Sequence, residues 1–147
     1  GVFQIAITVR ETQNVTACQA MRRMVFINEQ GVSEADEVDG KDKDAVHLLA
    51  SLNGYPVGAA RVLRLDQMEN PTVKIGRVCV LRDHRGKGIG EAILEQCHKS
   101  ARSLGATRAI LGAQVSALAF YERLGYRAYG EVFDDAGIDH RMMEKTL

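Results

Sequence analysis

The sequence carries no excess of charge of either sign. Its 19 lysines and arginines balance 19 aspartates and glutamates, so the formal net charge is zero. A chain without a global basic field is not expected to bind nucleic acid or an acidic membrane surface. The sequence also lacks any run approaching the roughly eighteen apolar residues that a membrane-spanning helix requires. We therefore predict no nucleic-acid partner and no membrane association.

Cysteine is scarce as well. Cys18, Cys79 and Cys97 are widely spaced, and no two of them form a Cys-x-x-Cys pair. Such spacing is typical of reduced thiols rather than of a disulfide framework. The cysteines and the four histidines also lack metal-ligand spacing, so no metal site is predicted. Reduced thiols, together with an N-terminus that lacks a secretory signal pattern, favour a cytoplasmic location.

No low-complexity linker and no internal repeat divides the 147 residues, and we predict a single domain over 1–147. Strand-like and helix-like patterns alternate along the chain. The predicted strands are 5–10, 45–52, 55–65, 72–81, 108–113, 127–133 and 139–146, and the predicted helices are 15–27, 91–104 and 116–124. An antiparallel beginning followed by a β-α-β unit predicts the α/β (α+β) class. We expect a mixed, mostly antiparallel sheet of about seven strands with helices on both faces.

Charge is distributed unevenly along the chain. Segment 34–44 carries six acidic and two basic residues, whereas segment 82–108 carries six basic and three acidic residues. The acidic segment lies within a region, 30–44, that has no sustained helix or strand pattern. We predict a mobile loop there, with at most one short helical turn. The basic segment coincides with a glycine-rich loop.

The glycine-rich loop follows the predicted strand 72–81. Glycines occupy positions 86, 88 and 90, and a helix follows at once. Glycines let a ligand approach the backbone closely, and the unpaired N–H groups at a helix start attract anions. The loop therefore predicts a phosphate site, with a tight structural turn as the alternative. It is not a P-loop, because Ile89 and Gly90 follow Lys87 where that motif requires a hydroxyl side chain.

Two motifs carry a family resemblance. The pattern Arg-x-x-Gly-x-Gly at Arg85, Gly88 and Gly90 resembles the signature of the GNAT superfamily of acyl-CoA-dependent N-acetyltransferases. The segment from Gln114 to Tyr126 resembles the family's segment in which an amide side chain is followed seven residues later by Tyr, then by Gly and an aromatic residue. The order of the predicted elements is also similar to the GNAT fold. The resemblance implies acetyl-CoA as co-substrate and direct acetyl transfer in a ternary complex.

The resemblance also implies which residues contact the co-substrate. The diphosphate of acetyl-CoA is expected on the glycine loop. The pantetheine arm is expected along the fourth strand and Gln114, if the strands that flank it diverge there. The predicted contacts are Val78, Cys79, Val80, Arg85, Gly86, Lys87, Gly88, Ile89, Gly90 and Gln114. A nucleophilic Cys79 is the alternative for that residue, but no His-Asn or His-Asp partner stands at a recognisable place, so we expect a small buried hydrophobe.

Acetyl transfer to an amine needs a base and an acid, because an alkyl amine is protonated at neutral pH and the departing thiolate needs a donor. The resemblance places Tyr121 at the position of the family's acid. A phenol, with an ordinary pKa of about 10, is a weaker acid than a thiol with a pKa of about 8.5. We therefore expect Tyr121 to donate a hydrogen bond that strengthens as charge grows on sulfur. A purely structural core position for the Tyr121 ring is the alternative.

The base is less well defined, because the fourth predicted strand holds no carboxylate, where many family members place one. The candidates are Glu29, His47 and His140. His140 resembles the base position of the bacterial glyphosate N-acetyltransferases and is our prediction, and Glu29 acting through a water is the next candidate. His47 lies in an apolar strand and is expected to be a core residue. His84 and His98 are expected to be solvated.

Two arginines are candidates for contact with the acceptor. Arg22 and Arg77 match arginines that bind an anionic acceptor in the glyphosate-type enzymes, so the resemblance implies a role in acceptor binding. Gln114 stands where those enzymes have a third arginine, which argues against a phosphonate or doubly anionic acceptor. A solvent-facing helix position is the alternative for Arg22.

The sequence therefore predicts an N-acetyltransferase that moves an acetyl group from acetyl-CoA to the primary amine of a small molecule. One alternative is a catalytically silent acyl-CoA-binding or sensing module, which would use the same loop without Tyr121 or His140. A nucleotide-binding domain of unrelated chemistry is a third reading. The variable segment 30–44 is expected to set the acceptor, and a homodimer is left open.

Overall fold

The computed structural model describes residues 6–66 and 69–147. The strands are β1 (Ile7–Thr12), β2 (Val46–Leu52), β3 (Tyr55–Leu65), β4 (Thr72–Val80), β5 (Arg108–Gln114), β6 (Arg127–Asp135) and β7 (Ile138–Thr146). The helices are α1 (Val15–Arg22), α2 (Glu34–Glu37), α3 (Ile89–Ser103) and α4 (Leu118–Arg123). The predicted start of the first strand, at residue 5, lies outside the described residues.

The described strands form one seven-stranded sheet in the order β1-β2-β3-β4-β5-β7-β6. Neighbouring strands run antiparallel except for β4 and β5, which are parallel because α3 connects them as a crossover. The predicted two-residue turn at Asn53 and Gly54 joins β2 to β3. The predicted mixed, mostly antiparallel sheet is therefore confirmed.

Apolar side chains project from both faces of the sheet. Ala59 packs into a cluster with Cys18, Met21 and Val25 beneath α1, whereas its neighbour Ala60 packs into the larger cluster beneath α3. Successive strand residues point to opposite faces, so one strand supports both layers. Helix α4 joins the larger cluster too. The predicted helices on both faces are confirmed.

β4 and β5 diverge along their length. They pair only from Thr72 with Arg108 to Lys74 with Ile110, although β5 goes on pairing with β7 as far as Gln114. The divergence opens a gap in the middle of the sheet at the carboxyl ends of both strands. The splayed strands on which the pantetheine prediction depends are therefore present.

A bulge interrupts β4 at the same level. Ala59 pairs with Cys79 and Arg61 pairs with Gly76, so Ala60 faces two residues of β4. Arg77, the first of them, has φ of +52°, in the left-handed region that few non-glycine residues adopt. A bulge redirects the strand and its side chains. The bulge lies just beyond the last pair of β4 with β5, Lys74 with Ile110.

The segment 30–44 is anchored by ion pairs, which corrects the prediction of a mobile loop. The predicted helix over 15–27 is α-helical as far as Arg22 and continues as a π-helical stretch, Arg23–Glu29. The segment that follows holds α2 and a short 3₁₀ turn, Asp42–Asp44. Its acidic residues pair with arginines of α1 and β3, and these long-range partners were not visible in the local pattern.

His98 is buried, which corrects the prediction that it is solvated. Only 7% of the residue is exposed, and its Nε2 lies 2.7 Å from the Tyr126 hydroxyl. Burial, with smaller contributions from Lys145 and Arg102, lowers the pKa of His98 from 6.5 to about 4. The folded protein therefore holds this histidine in its neutral form.

Acidification is expected to destabilise the fold through His98. An unfolded chain binds the proton near an ordinary pKa of about 6.5, whereas the folded chain binds it only near about 4. The contribution to the free energy of unfolding is thus complete above about pH 6.5 and is lost as the pH falls to 4, by up to about 3 kcal/mol. Urea unfolding of wild type and His98→Gln between pH 7 and 4 measures it. The variant should show the flatter pH dependence, and parallel curves would contradict the assignment.

Candidate active site

A groove of about 970 Å³ lies where β4 and β5 diverge. Its lining runs from the glycine loop before α3, past the ends of β4 and β5, to β7 and the anchored segment after α1. One continuous groove therefore brings together residues far apart in the chain, among them most of the predicted site residues.

The glycine loop leaves free space for a ligand. Gly86 and Gly88 have φ of +77° and +80°, and no atom lies within 4 Å of the position a Cβ would take at either residue. Helix α3 begins directly afterwards, at Ile89, and its first N–H groups have no carbonyl in a preceding turn to bond. Open backbone and a helix N-terminus together fit a phosphate group. Gly90 also lines the groove and packs closely, because a Cβ there would lie 3.2 Å from Phe120.

Arg85 is held by other groups of the protein. Its guanidinium makes two hydrogen bonds to the Glu29 carboxylate, at 2.6 and 2.7 Å, and Nε donates to the Val80 carbonyl at 3.0 Å. Arg85 therefore ties the loop to the end of the π-helical stretch, and its contribution to an anion site is mostly positive charge. Lys87 is exposed on the same loop.

Val78, Cys79 and Val80 line the groove, and Gln114 lines it from the other side. Their contact with acetyl-CoA stays a prediction. The Gln114 side chain donates a hydrogen bond of 2.9 Å to Gln30, which follows the π-helical stretch. Burial raises the pKa of the Cys79 thiol to about 12, so a thiolate nucleophile is strongly disfavoured there.

Tyr121 lines the groove from α4 and is 9% exposed. Its ring packs edge-on against Phe120 and Tyr126, with ring centroids 5.0 and 5.9 Å apart. Burial, and to a lesser degree Cys97, raises the pKa of the Tyr121 phenol. The hydroxyl thus keeps its proton at neutral pH and is suited to donate a hydrogen bond.

His140 lies on β7 directly opposite Gln114 of β5 and Phe133 of β6. Its Nδ1 is 2.7 Å from the Ile138 carbonyl, so this nitrogen is the protonated one in the neutral ring. His140 lines the groove, and Nε2 is the nitrogen left to accept a proton. Its ring lies 5.8 Å from the Phe133 ring.

Arg22 does not line the groove, which corrects its prediction as an acceptor contact. The residue is 1% exposed, and its guanidinium bonds Glu37 and Asp42 at 2.7 Å each. The solvent-facing alternative is wrong for the same reason. Arg77 does line the groove, where it donates to the Glu37 carbonyl at 3.0 Å and pairs with Asp39 at 3.3 Å. Its contact with an acceptor stays a prediction.

The other candidate bases fit the role less well. His47 is buried outside the groove, and its Nε2 lies 2.7 Å from the Asp42 carbonyl, as expected of a core residue. Hydrogen bonds from Arg85 lower the pKa of Glu29, so its carboxylate is a weak base. His84 is half-buried and lines the groove beside the glycine loop, which corrects its prediction as solvated.

Sequence reasoning missed several lining residues. Gln30, Gly76, Gly112 and Phe133 all face the groove. None belongs to a recognisable motif, and their placement follows from the divergence of the strands and the fold of segment 30–44. The one signal available in the sequence was the pair of glycines, Gly76 on β4 and Gly112 on β5, each two residues past the last pair of these strands.

Within 6–66 and 69–147, no group of three histidine, cysteine, aspartate or glutamate side chains is placed to hold a metal ion. In the same part of the chain, no helix combines the length and apolar character needed to cross a membrane.

Comparison with known proteins places the chain in a family. The model of the acetyltransferase (GNAT) domain matches residues 11–147. YjcF of Bacillus subtilis, an uncharacterized N-acetyltransferase, is 35% identical over 141 residues, which cover 95% of this chain and 98% of YjcF. An acyl-CoA N-acyltransferase structure from Pseudomonas aeruginosa matches with a TM-score of 0.80 and 28% identity, covering 97% of this chain and all of that one.

A Bacillus subtilis acetyltransferase solved in complex with CoA shares the fold, with a TM-score of 0.70, 19% identity and coverage of 98% of this chain and 99% of that one. The chain belongs to the GNAT acetyltransferase family and is an acyl-CoA-dependent acetyltransferase. The superfamily resemblance of the two sequence motifs is thereby confirmed. The likeness to the glyphosate-type branch stays a prediction.

Proposed function

We propose that this acetyltransferase transfers the acetyl group of acetyl-CoA to the primary amine of a small molecule, by direct attack in a ternary complex. The observation that carries the proposal is the single groove that joins the glycine loop, the splayed strands, Tyr121 and His140. Simultaneous access of both substrates to one groove is what direct transfer needs.

The donor end fits an acyl-CoA. The backbone at Gly86, Gly88 and Ile89 would hold the diphosphate, with positive charge from Arg85 and Lys87 nearby. The open edges at Val78 to Val80 and Gln114 would hold the pantetheine arm as an added strand does. CoA bound to the Bacillus subtilis relative supports this choice of ligand. The thioester supplies the acyl carbon and a thiolate leaving group.

Two side chains would act on the reacting groups, His140 as a base and Tyr121 as a hydrogen-bond donor. Nε2 of His140 would take the proton from the attacking amine as the nitrogen–carbon bond forms. The Tyr121 hydroxyl would donate a hydrogen bond toward the sulfur as the carbon–sulfur bond breaks. Because burial raises its pKa, Tyr121 is better suited to hydrogen bonding than to giving up its proton outright.

A screen of primary amines tests the proposed function. Purified protein with acetyl-CoA should release free CoA thiol only when a suitable amine is present, with an acetylated amine formed in equal amount. Acetyl-CoA binding without thiol release for any amine would instead favour the silent binding module. Rapid thiol release without an amine product would point to hydrolysis.

Replacing Gly88 with Val is expected to weaken acetyl-CoA binding by more than about tenfold, or about 1.4 kcal/mol. The φ of +80° disfavours a β-branched residue, and the side chain would occupy the space left for the diphosphate. Calorimetry with acetyl-CoA measures the loss. Gly105→Val is the matched control, since Gly105 has φ of +83° and open space at the other end of α3. Equal affinities in a folded Gly88→Val protein and wild type would remove the loop from the site.

A further inference from the structure

Gly76 on β4 and Gly112 on β5 flank the opening between the diverging strands. Each lies two residues beyond the last pair of the two strands, Lys74 with Ile110, so the glycines occupy corresponding positions. Both line the groove. The sheet therefore has no side chain on either side of the opening at this level.

Neither glycine is required by the fold. Their φ angles lie outside the left-handed region, unlike those of Gly86 and Gly88. No atom lies within 4 Å of a Cβ built on Gly76, and a Cβ on Gly112 would make only ordinary contacts, 3.5 Å from Phe133 and 3.7 Å from Met142. Glycine destabilises a strand, because ordering its flexible backbone costs conformational entropy and because it has no side chain to pack. The space they leave is part of the groove.

The groove wall beside Gly112 is apolar, because Phe133 and Met142 lie 3.5 and 3.7 Å from a Cβ built there. Leu63, Phe133 and Met142 line the groove, and Phe133 is 37% exposed, although it is a large aromatic side chain. The Phe133 ring lies beside His140, at 5.8 Å between ring centroids. An apolar surface of this kind favours an apolar part of a ligand.

The arginines near this end of the groove are already neutralised. Arg22 pairs with Glu37 and Asp42, and Arg61 pairs with Asp39 and Asp42. Hydrogen bonds from Arg61 are the main reason that the pKa of Asp39 is lowered, so this carboxylate stays ionised. Arg77 shares Asp39 and also lies 3.6 Å from Glu37. Three guanidinium groups thus face three carboxylates, and this cluster carries no net charge, although Lys41 and Lys74 also line the groove.

We propose that Gly76 and Gly112 form the floor of the acceptor subsite and admit a flat, uncharged apolar body, with Phe133 as its wall. The preferred acceptors are then primary amines carried on aromatic or unbranched apolar groups, rather than amines that carry phosphonate or several carboxylates. This assignment of the acceptor class rests on the proposed amine transfer.

A size series at position 76 tests the floor. Gly76→Ala, Gly76→Val and Gly76→Leu should raise KM for 2-phenylethylamine progressively, by about tenfold or more for Leu, because each side chain fills more of the subsite. Calorimetry with acetyl-CoA separates this subsite from the pantetheine gap: the KM for the amine should rise more than the Kd for acetyl-CoA, and an equal or larger rise in that Kd refutes the assignment. Thermal stability should not fall in Gly76→Ala, because the φ there lies outside the left-handed region and the Cβ has room. A KM that does not change across the series overturns the proposal.

Acceptor preference is the second measurement. Wild type should use 2-phenylethylamine with a higher kcat/KM than aminomethylphosphonate, and the reverse order overturns the subsite while leaving amine transfer intact. Should no amine be acetylated, the proposed function fails. Calorimetry of 2-phenylethylamine with CoA-saturated protein then still decides the subsite. Binding to wild type that is abolished in Gly76→Leu supports the subsite. No binding to wild type, or equal affinity in the two proteins, refutes it.

Discussion

Tyr121→Phe is expected to lower turnover by roughly 10²-fold or somewhat more, while acetyl-CoA affinity stays near the wild-type value. Tyr121 lines the groove, and the variant keeps the ring that packs against Phe120 and Tyr126 and removes only the hydroxyl. A hydrogen bond that strengthens as charge develops on sulfur is lost mainly from the transition state, so kcat should fall and KM should change little. Steady-state kinetics on an amine whose chemical step limits the rate measures the effect.

Tyr126→Phe provides the matched control. It removes a buried phenol hydroxyl that bonds His98 rather than facing the groove. We expect it to lower stability and to leave turnover almost unchanged. Wild-type turnover in Tyr121→Phe, or equal losses in the two variants, would show that the Tyr121 hydroxyl has no specific role.

His140→Asn is expected to lower kcat/KM by about 10²-fold or more and to remove the acidic limb of its pH profile. In wild type, the rate should fall toward acidic pH, because only a neutral imidazole accepts a proton from the amine. Measurements of kcat/KM from pH 5 to 9 in both proteins test the assignment.

The control for this profile is His98→Gln. It removes a histidine outside the groove and should preserve the acidic limb, which separates catalysis from the acid destabilisation described above. Persistence of both the rate and the limb in His140→Asn would exclude His140 as the base. Glu29 would then be a poor substitute, because Arg85 holds it as a stabilised carboxylate.

Local sequence chemistry predicted much of the donor end. Alternate glycines before a helix predicted a loop with open backbone, and the structure shows free space at Gly86 and Gly88. The two-residue turn at Asn53 and Gly54 and the crossover through α3 fixed most of the strand order. These features depend on residues close in sequence, so pattern and spacing were sufficient.

Other parts of the groove depended on long-range contacts that no local pattern reveals. Arg85 pairs with Glu29, 56 residues away, and Gln114 bonds Gln30, 84 residues away. Arg22 matched an acceptor-binding arginine by position, yet burial beside Glu37 and Asp42 gives it a structural partner instead. Which of several nearby carboxylates an arginine meets is set by tertiary packing, because any of them satisfies its charge.

The sequence by itself predicted a GNAT acetyltransferase with a glycine loop of open backbone ahead of α3, since backbone geometry at glycines and a helix start is local. Only the tertiary structure decided that segment 30–44 is anchored, that His98 is neutral and buried, and that Gly76 and Gly112 lie across one opening. A single glycine within a strand does not form a sequence pattern. The role of such a glycine becomes visible only when the tertiary structure places two of them on the two sides of one opening.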